Sequence, residues 1–142
     1  MGHIIGFYSL LASMALNVLA CVWIGHMLWH QKTDGIQRMP WVQGVVTALI
    51  LIPSVILAAA LLRHDFSYVL VAEYTDSLLP LAYSLTAFWA GQEGSFLFWT
   101  LAVALFGLFW AGSSTARNMA DANKCSFWFV YSLVQAFFLL IV

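Results

Sequence analysis

Four long apolar runs, separated by short polar stretches, constrain this chain more than any other feature. The runs cover residues 4–29, 41–62, 95–112 and 126–142. An α-helix needs about 20 apolar residues to cross a membrane core of ~30 Å. Charged residues make up only 8% of the chain, against roughly 25% in soluble domains. The sequence therefore predicts an all-α integral membrane protein of about four transmembrane helices in a single membrane domain.

Residues 63–94 form the most polar segment and are predicted to be an external loop. Its stretch 78–90 is apolar but only about 13 residues long, which is too short to span. We therefore expect a short interfacial or re-entrant helix there, just before the third span. Residues 68–71 have the composition of a short strand.

The basic residues predict the orientation of the helices. Four of the five lie in the first and third connections, and only Arg63 lies in the second. Because cytoplasmic loops carry the excess of Lys and Arg, the N-terminus and residues 63–94 are expected outside. The predicted location is a bacterial inner membrane, with this loop in the periplasm. The four residues are Lys32, Arg38, Arg117 and Lys124.

The fourth apolar run is short for a transmembrane span. At ~1.5 Å per residue, residues 126–142 reach only about 25 Å. No polar anchor follows them. We interpret the chain as the N-terminal part of a larger polytopic protein, either a fragment or one piece of a split protein.

A polar island, Trp89–Trp99, interrupts the apolar sequence. Glu93 within it needs water, a partner or a ligand, because an unpaired charge in hydrocarbon is costly. The favoured interpretation is that Gln92 and Glu93 support the start of the third helix, with Ser95 as a plausible N-cap. Its two glycines would then allow a tight turn, and its two tryptophans would anchor it at the interface. The alternative is direct contact with a flat aromatic ligand. The glycines are Gly91 and Gly94, and the tryptophans are Trp89 and Trp99.

The histidines give no firm cofactor signal. His26 and His30 share a helical face, a spacing that suits a metal ion or haem but is more often a pair of interfacial polar groups. His64 and His26 are predicted near opposite membrane faces, so they cannot ligate one haem. His3 and His64 are on the same side, but nothing in the sequence pairs them. No catalytic set and no metal site is predicted.

The segment 64–99 resembles the N-terminal part of the CcmF/NrfE family of cytochrome c maturation proteins. The order and spacing of three groups of residues carry the resemblance. The chain departs from the family at Thr75 and Asp76, where Ser–Asn is common. The three groups are Asp65, Phe66 and Ser67; Val71, Ala72 and Glu73 with Leu79 and Pro80; and Trp89, Gly91, Glu93, Gly94, Ser95 and Trp99.

The resemblance implies a part in cytochrome c maturation. Family members are haem lyase components that receive haem from a periplasmic haem chaperone and promote its attachment to apocytochrome c. It implies as partners the remainder of the CcmF-type protein and a CcmH-type thiol-reductase partner. The family's haem-ligating histidines lie beyond the point that corresponds to Val142. This chain alone is therefore not expected to be catalytic, and the haem of the full assembly is expected to be ligated elsewhere.

Two other classes of function stay open. One is a small membrane scaffold or anchor subunit without a cofactor. The other is a redox subunit that binds haem b or quinone. The candidate cofactor contacts are Trp89, Gln92, Glu93, Trp99 and His64. The candidate structural motif comprises Asp65, Phe66, Ser67, Glu73, Pro80, Gly91, Gly94 and Ser95.

Overall fold

A computed structural model describes residues 2–65, 67–68, 71–72, 86 and 91–142, with Glu93 as backbone only. Within these residues the chain is helical, apart from short connections. The α-helices are α1 (Gly2–Trp29), α2 (Met39–Leu62), α3 (Gln92–Gly112), α4 (Ser114–Asn118) and α5 (Asp121–Ile141), and a 3₁₀ turn covers Ile36–Arg38.

The four long helices, α1, α2, α3 and α5, are each long and apolar enough to cross a membrane. The prediction of an all-α, multi-pass membrane protein is thereby confirmed. The helices alternate in direction. One end of the bundle holds Gly2, Leu62 and Gln92 and is called the Gly2 end. The other holds Trp29, Met39 and Asp121 and is called the Trp29 end.

Helix α1 packs through a narrow seam of buried residues at spacings of three and four. Such spacing keeps one stripe of a helix facing its neighbours. The half of the seam nearer the Gly2 end consists of small or polar residues, which let helix backbones approach closely in a membrane. Where Gly6 faces Pro53 of α2, for example, an added β-carbon would lie 3.4 Å from Pro53 Cβ. The seam residues are Gly6, Ser9, Ser13, Asn17, Ala20, Ile24 and Met27.

The last helix differs from its prediction. It begins at Asp121 instead of position 126 and has 21 residues, which reach about 31 Å. The loop expected before it is also largely helical, because Ser113 caps α4 by accepting a hydrogen bond from the N–H of Ala116 (3.1 Å). The final span is therefore of ordinary length, and the argument from its shortness is wrong.

Two predictions concern the segment between α2 and α3. The strand expected at 68–71 is wrong at Val71, which is helical. The short helix expected at 78–90 lies outside the described residues, except for Thr86.

Helices α3 and α5 stack aromatic rings at the Trp29 end and border a groove. The rings of Trp110 and Phe127 stack with centroids 3.5 Å apart. The groove starts beside Phe127, has a volume of about 650 Å³ and is open on one side. Its walls are apolar and include Trp99, Phe106 and Val134.

Candidate functional site

Helix α3 begins within the polar island. The helix starts at Gln92, and its N-cap is Gly91, so the prediction of Ser95 as N-cap is wrong. Ser95 lies in the first turn, where its Oγ donates a hydrogen bond to the carbonyl of Gln92 (2.8 Å). Gly91 has φ −86° and ψ 153°, an extended conformation open to any residue, and Gly94 is within the helix. Neither position therefore needs the conformational freedom of glycine.

Two of the island's candidate ligand contacts, Gln92 and Trp99, have described side chains, and Gln92 does not line the groove that Trp99 lines. Glu93 is the second residue of α3, a position at which the helix dipole favours an acidic residue. Gln92 is exposed. Trp99 is 55% exposed and lines the apolar groove. Trp89 lies outside the described residues, so a ligand site between the two tryptophans stays a prediction.

The described part of the segment after α2, up to Ala72, packs against the Gly2 end. Val71 is fully buried and packs with Ala60, Leu61 and Leu97. This contact joins the loop to α2 and to the first turns of α3, so two segments of the sequence motif meet in space. Phe66, Glu73 and Pro80 of the same motif lie outside the described residues.

Asp65 and Ser67 form a local turn at the surface. The N–H of Ser67 donates to Oδ1 of Asp65 (3.1 Å). Hydrogen bonds from the Ser67 side chain and backbone hold the pKa of the exposed Asp65 carboxyl below its ordinary value, because they stabilise the charged form. The role that this geometry supports for Asp65 is to shape the loop.

His26 and His30 do not fit a haem that is ligated on both faces. His26 and His30 are exposed, and their ring centroids are 4.4 Å apart, which leaves no room for a porphyrin between them. His64 is half-buried just after α2, with φ 51°. His3 lies in α1 at the Gly2 end. Among the described residues, no three His, Cys, Asp or Glu side chains are grouped to hold a metal ion.

The structure also gathers polar residues that the sequence reasoning missed, here called the interior polar cluster. They lie inside the bundle, on all four long helices, and each is less than 10% exposed. Amides and hydroxyls within spanning helices are costly to leave unpaired. Their presence in the apolar runs could therefore have predicted which helix faces pack against other helices. The members are Asn17, Gln43, Thr47, Thr100, Tyr131, Ser132 and Gln135.

Gln43 is the centre of one half of this cluster. Its Nε2 donates to Tyr131 Oη (2.9 Å) and to the carbonyl of Ala104 (3.1 Å). Tyr131 Oη in turn donates to the carbonyl of Val103 (2.8 Å). Thr47 Oγ1 lies 3.3 Å from the Ala104 carbonyl. These bonds join α2, α3 and α5 through groups that would otherwise be unpaired in an apolar interior.

The other half of the cluster joins α5 to α1 and α3. Asn17 Nδ2 donates to the carbonyl of Ser132 (2.9 Å). Thr100 Oγ1 donates within α3 to the carbonyl of Phe96 (2.7 Å) and lies 3.4 Å from that of Phe138. Gln135 is fully buried, and neither end of its amide has a partner among the described residues. The cluster contains amides and hydroxyls only, so it can bind neutral polar groups and fix helices in register.

Several cytochrome c-type biogenesis proteins are similar to this chain in sequence. CcmF of Pseudomonas fluorescens is 31% identical over 128 residues, which cover 85% of this chain and 18% of that protein. CycK of Bradyrhizobium diazoefficiens is 31% identical over 107 residues, covering 72% of this chain and 16% of that protein. The probable biogenesis protein NrfE of Escherichia coli is 38% identical over 64 residues, covering 45% and 12%.

The chain thus spans less than a fifth of the length of the curated relatives it matches, from 9% to 18%. No protein-family model matches the chain. No solved structure matches it.

Proposed function

From its relationship to the CcmF/NrfE family of cytochrome c-type biogenesis proteins, we propose that this chain acts in cytochrome c maturation. It would form a helical membrane part of a haem lyase assembly that handles haem and supports its attachment to apocytochrome c. The observation that carries the proposal is that CcmF, NrfE and CycK proteins from different bacteria all match the same short chain.

The role within this assembly is structural. The Val71 contact fixes the loop on the Gly2 end, and the interior polar cluster fixes the helices beneath it. The remainder of a CcmF-type protein, a CcmH-type thiol-reductase, a haem chaperone and apocytochrome c are the proposed partners. Haem is the proposed cofactor of the assembly. His26 and His30 do not supply an axial pair, and no step of haem chemistry is assigned to this chain.

A strain that lacks the chain tests the proposal. We expect haem-stained c-type cytochromes to be lost, while haem b stays in the membrane. Wild-type chain should restore them, whereas Val71→Asp should not, because a charge would enter the contact with Leu97. Ala72→Asp is the matched control, because Ala72 is exposed next to Val71. Unchanged c-type cytochromes in the deletion strain would contradict the proposal.

The interior polar cluster also suits a second candidate, a membrane scaffold or anchor without a cofactor. Its polar side chains already make interhelical bonds, as a scaffold requires. The absorption spectrum of the purified chain and its co-purifying proteins separates the two functions. Co-purification with a CcmH-type protein supports the maturation role. A haem Soret band in the isolated chain would contradict the expectation that the ligands lie elsewhere.

The Gly2 end is proposed to face the periplasm, across a bacterial inner membrane. Single cysteines at Asp34 and Asp76, in a background without Cys21 and Cys125, test this orientation. An impermeant thiol reagent added to intact spheroplasts should label position 76 and not position 34. Labelling of position 34 alone would show that the orientation is reversed.

A further inference from the structure

The positive charge of the chain is concentrated at the Trp29 end. Four of the five Lys and Arg residues lie at this end, together with two of the six acidic residues, Asp34 and Asp121. The sum at this end is therefore +2 in a chain whose net charge is −1. Clusters of cations beside spanning helices attract anionic lipid headgroups.

Two of these cations line a pocket of about 160 Å³. Arg117 lies on α4 and Lys124 on the first turn of α5. Gln37, from the 3₁₀ turn, adds an amide. Five separate elements thus bring polar and apolar side chains to one place. The apolar lining consists of Ile36, Pro40, Trp110, Ala111, Ala116 and Trp128.

The walls of this pocket are held in place. Trp110 and Trp128 meet edge to face, with ring centroids 5.4 Å apart. Ser113 caps α4 and so fixes the helix that carries Arg117. The Lys124 ammonium is bound to Asp121 at 2.9 Å, and its side chain is 19% exposed. Among the described residues, no ion pair involves Arg117, which is exposed.

We propose that this pocket binds the phosphate of an anionic phospholipid, with the glycerol and the start of an acyl chain against its tryptophans. The guanidinium of Arg117 offers hydrogen bonds in a planar fork that matches phosphate oxygens. Lys124 adds a second positive charge. The proposal needs only that the chain spans a membrane and does not depend on its part in cytochrome c maturation.

The apolar walls distinguish a lipid from free phosphate. Inorganic phosphate would use only the polar rim and would gain nothing from Trp110, Trp128 or Pro40. A phospholipid matches both parts, because its charged group and its hydrocarbon meet at the level where interfacial tryptophans lie. The occupant assigned to the pocket is therefore the lipid.

Native mass spectrometry of the delipidated chain in a neutral detergent tests the assignment. Phosphatidylglycerol should be retained at least about fivefold more strongly than phosphatidylcholine. Arg117→Gln should lower the affinity for phosphatidylglycerol by about fivefold, the effect expected of one cation near the membrane surface. Lys32→Gln removes a cation from the same end but not from the pocket, and should change the affinity by less than about twofold.

A second variant, Asp121→Asn, tests the proposal even if Arg117→Gln disturbs the fold. It removes the negative charge that competes for Lys124, so it should strengthen phosphatidylglycerol binding, a gain that misfolding cannot produce. Equal retention of the two lipids would overturn the proposal. An equal loss in Lys32→Gln and Arg117→Gln would overturn it too, as would displacement of the lipid by inorganic phosphate at comparable concentration.

Discussion

The side chains of Gln43 and Tyr131, 88 positions apart in the chain, meet inside the bundle through a hydrogen bond of 2.9 Å. The bond connects α2 to α5 and lies against α3, whose carbonyls at Val103 and Ala104 accept from the same two residues. Three spanning helices are thus joined through one contact between polar side chains.

Tyr131→Phe should destabilise the chain by about 1 kcal/mol, because Gln43 loses a partner and Val103 loses a donor. Unfolding by a denaturing detergent in mixed micelles measures the free energy. Tyr8→Phe is the control, because Tyr8 is 64% exposed. In a double-mutant cycle with Gln43→Leu, the two effects should not add. Additive losses would show that the bond contributes little.

Gly107→Ala should be more damaging than an ordinary substitution of glycine in a helix. A β-carbon at Gly107 would collide with the ring of Tyr131, placing it 2.6 Å from Cζ. The collision should cost about 1–3 kcal/mol of unfolding free energy, as overpacking does. Gly112→Ala on the same helix meets nothing within 4 Å and should be neutral. Similar results for the two variants would contradict the close packing.

Gln135→Leu should leave the stability unchanged or raise it by about 1 kcal/mol. The amide of Gln135 is fully buried without a protein partner among the described residues, and such a group costs about 1–3 kcal/mol. Gln43→Leu, which breaks several bonds, should instead destabilise the same bundle. A loss of more than about 1 kcal/mol in Gln135→Leu would show that the amide has a functional partner.

Asp65 should titrate below the ordinary aspartate value of 3.8. Because its pKa is lowered in the folded state, its contribution to stability is present above the unfolded pKa and is lost as the pH falls through the folded pKa. Ser67→Ala should move the Asp65 pKa up towards 3.8, since a side-chain hydrogen bond to the charged form disappears. Carboxyl ¹³C NMR across pH 2–6 reports the titration directly.

The control for the Asp65 titration is Ser114→Ala. Ser114 is exposed and lies at the other end of the bundle, so its substitution should leave the Asp65 pKa unchanged. An unchanged Asp65 pKa in Ser67→Ala would mean that the turn is held by the backbone bond alone.

The fold class and the number of spans followed from hydropathy, because length and apolarity alone decide whether a helix can cross a membrane. Hydropathy did not predict which face of each helix is buried, since every side of α1 is apolar enough to face lipid. The buried side of α1 is marked instead by Ser9, Ser13 and Asn17, whose small or polar side chains suit contact between helices.

The start of α5 was missed for a related reason. Asp121 and Lys124 read as loop residues, whereas their ion pair lies on the first turn of the helix. Helix α3 was expected to begin at Ser95, whereas it begins at Gln92, inside the island Trp89–Trp99. The N-cap was misplaced because serine is a common capping residue, whereas the actual N-cap, Gly91, has no side chain that could form a capping hydrogen bond.

The stack of Trp110 on Phe127 is one of the places at which α3 and α5 meet, with the Tyr131–Val103 hydrogen bond and the approach of Thr100 to Phe138 further along. The groove therefore lies beside this line of contacts and does not separate the two helices. A hydrophobic guest that enters it sideways from the bilayer would reach Trp99 and Phe106 without displacing either helix.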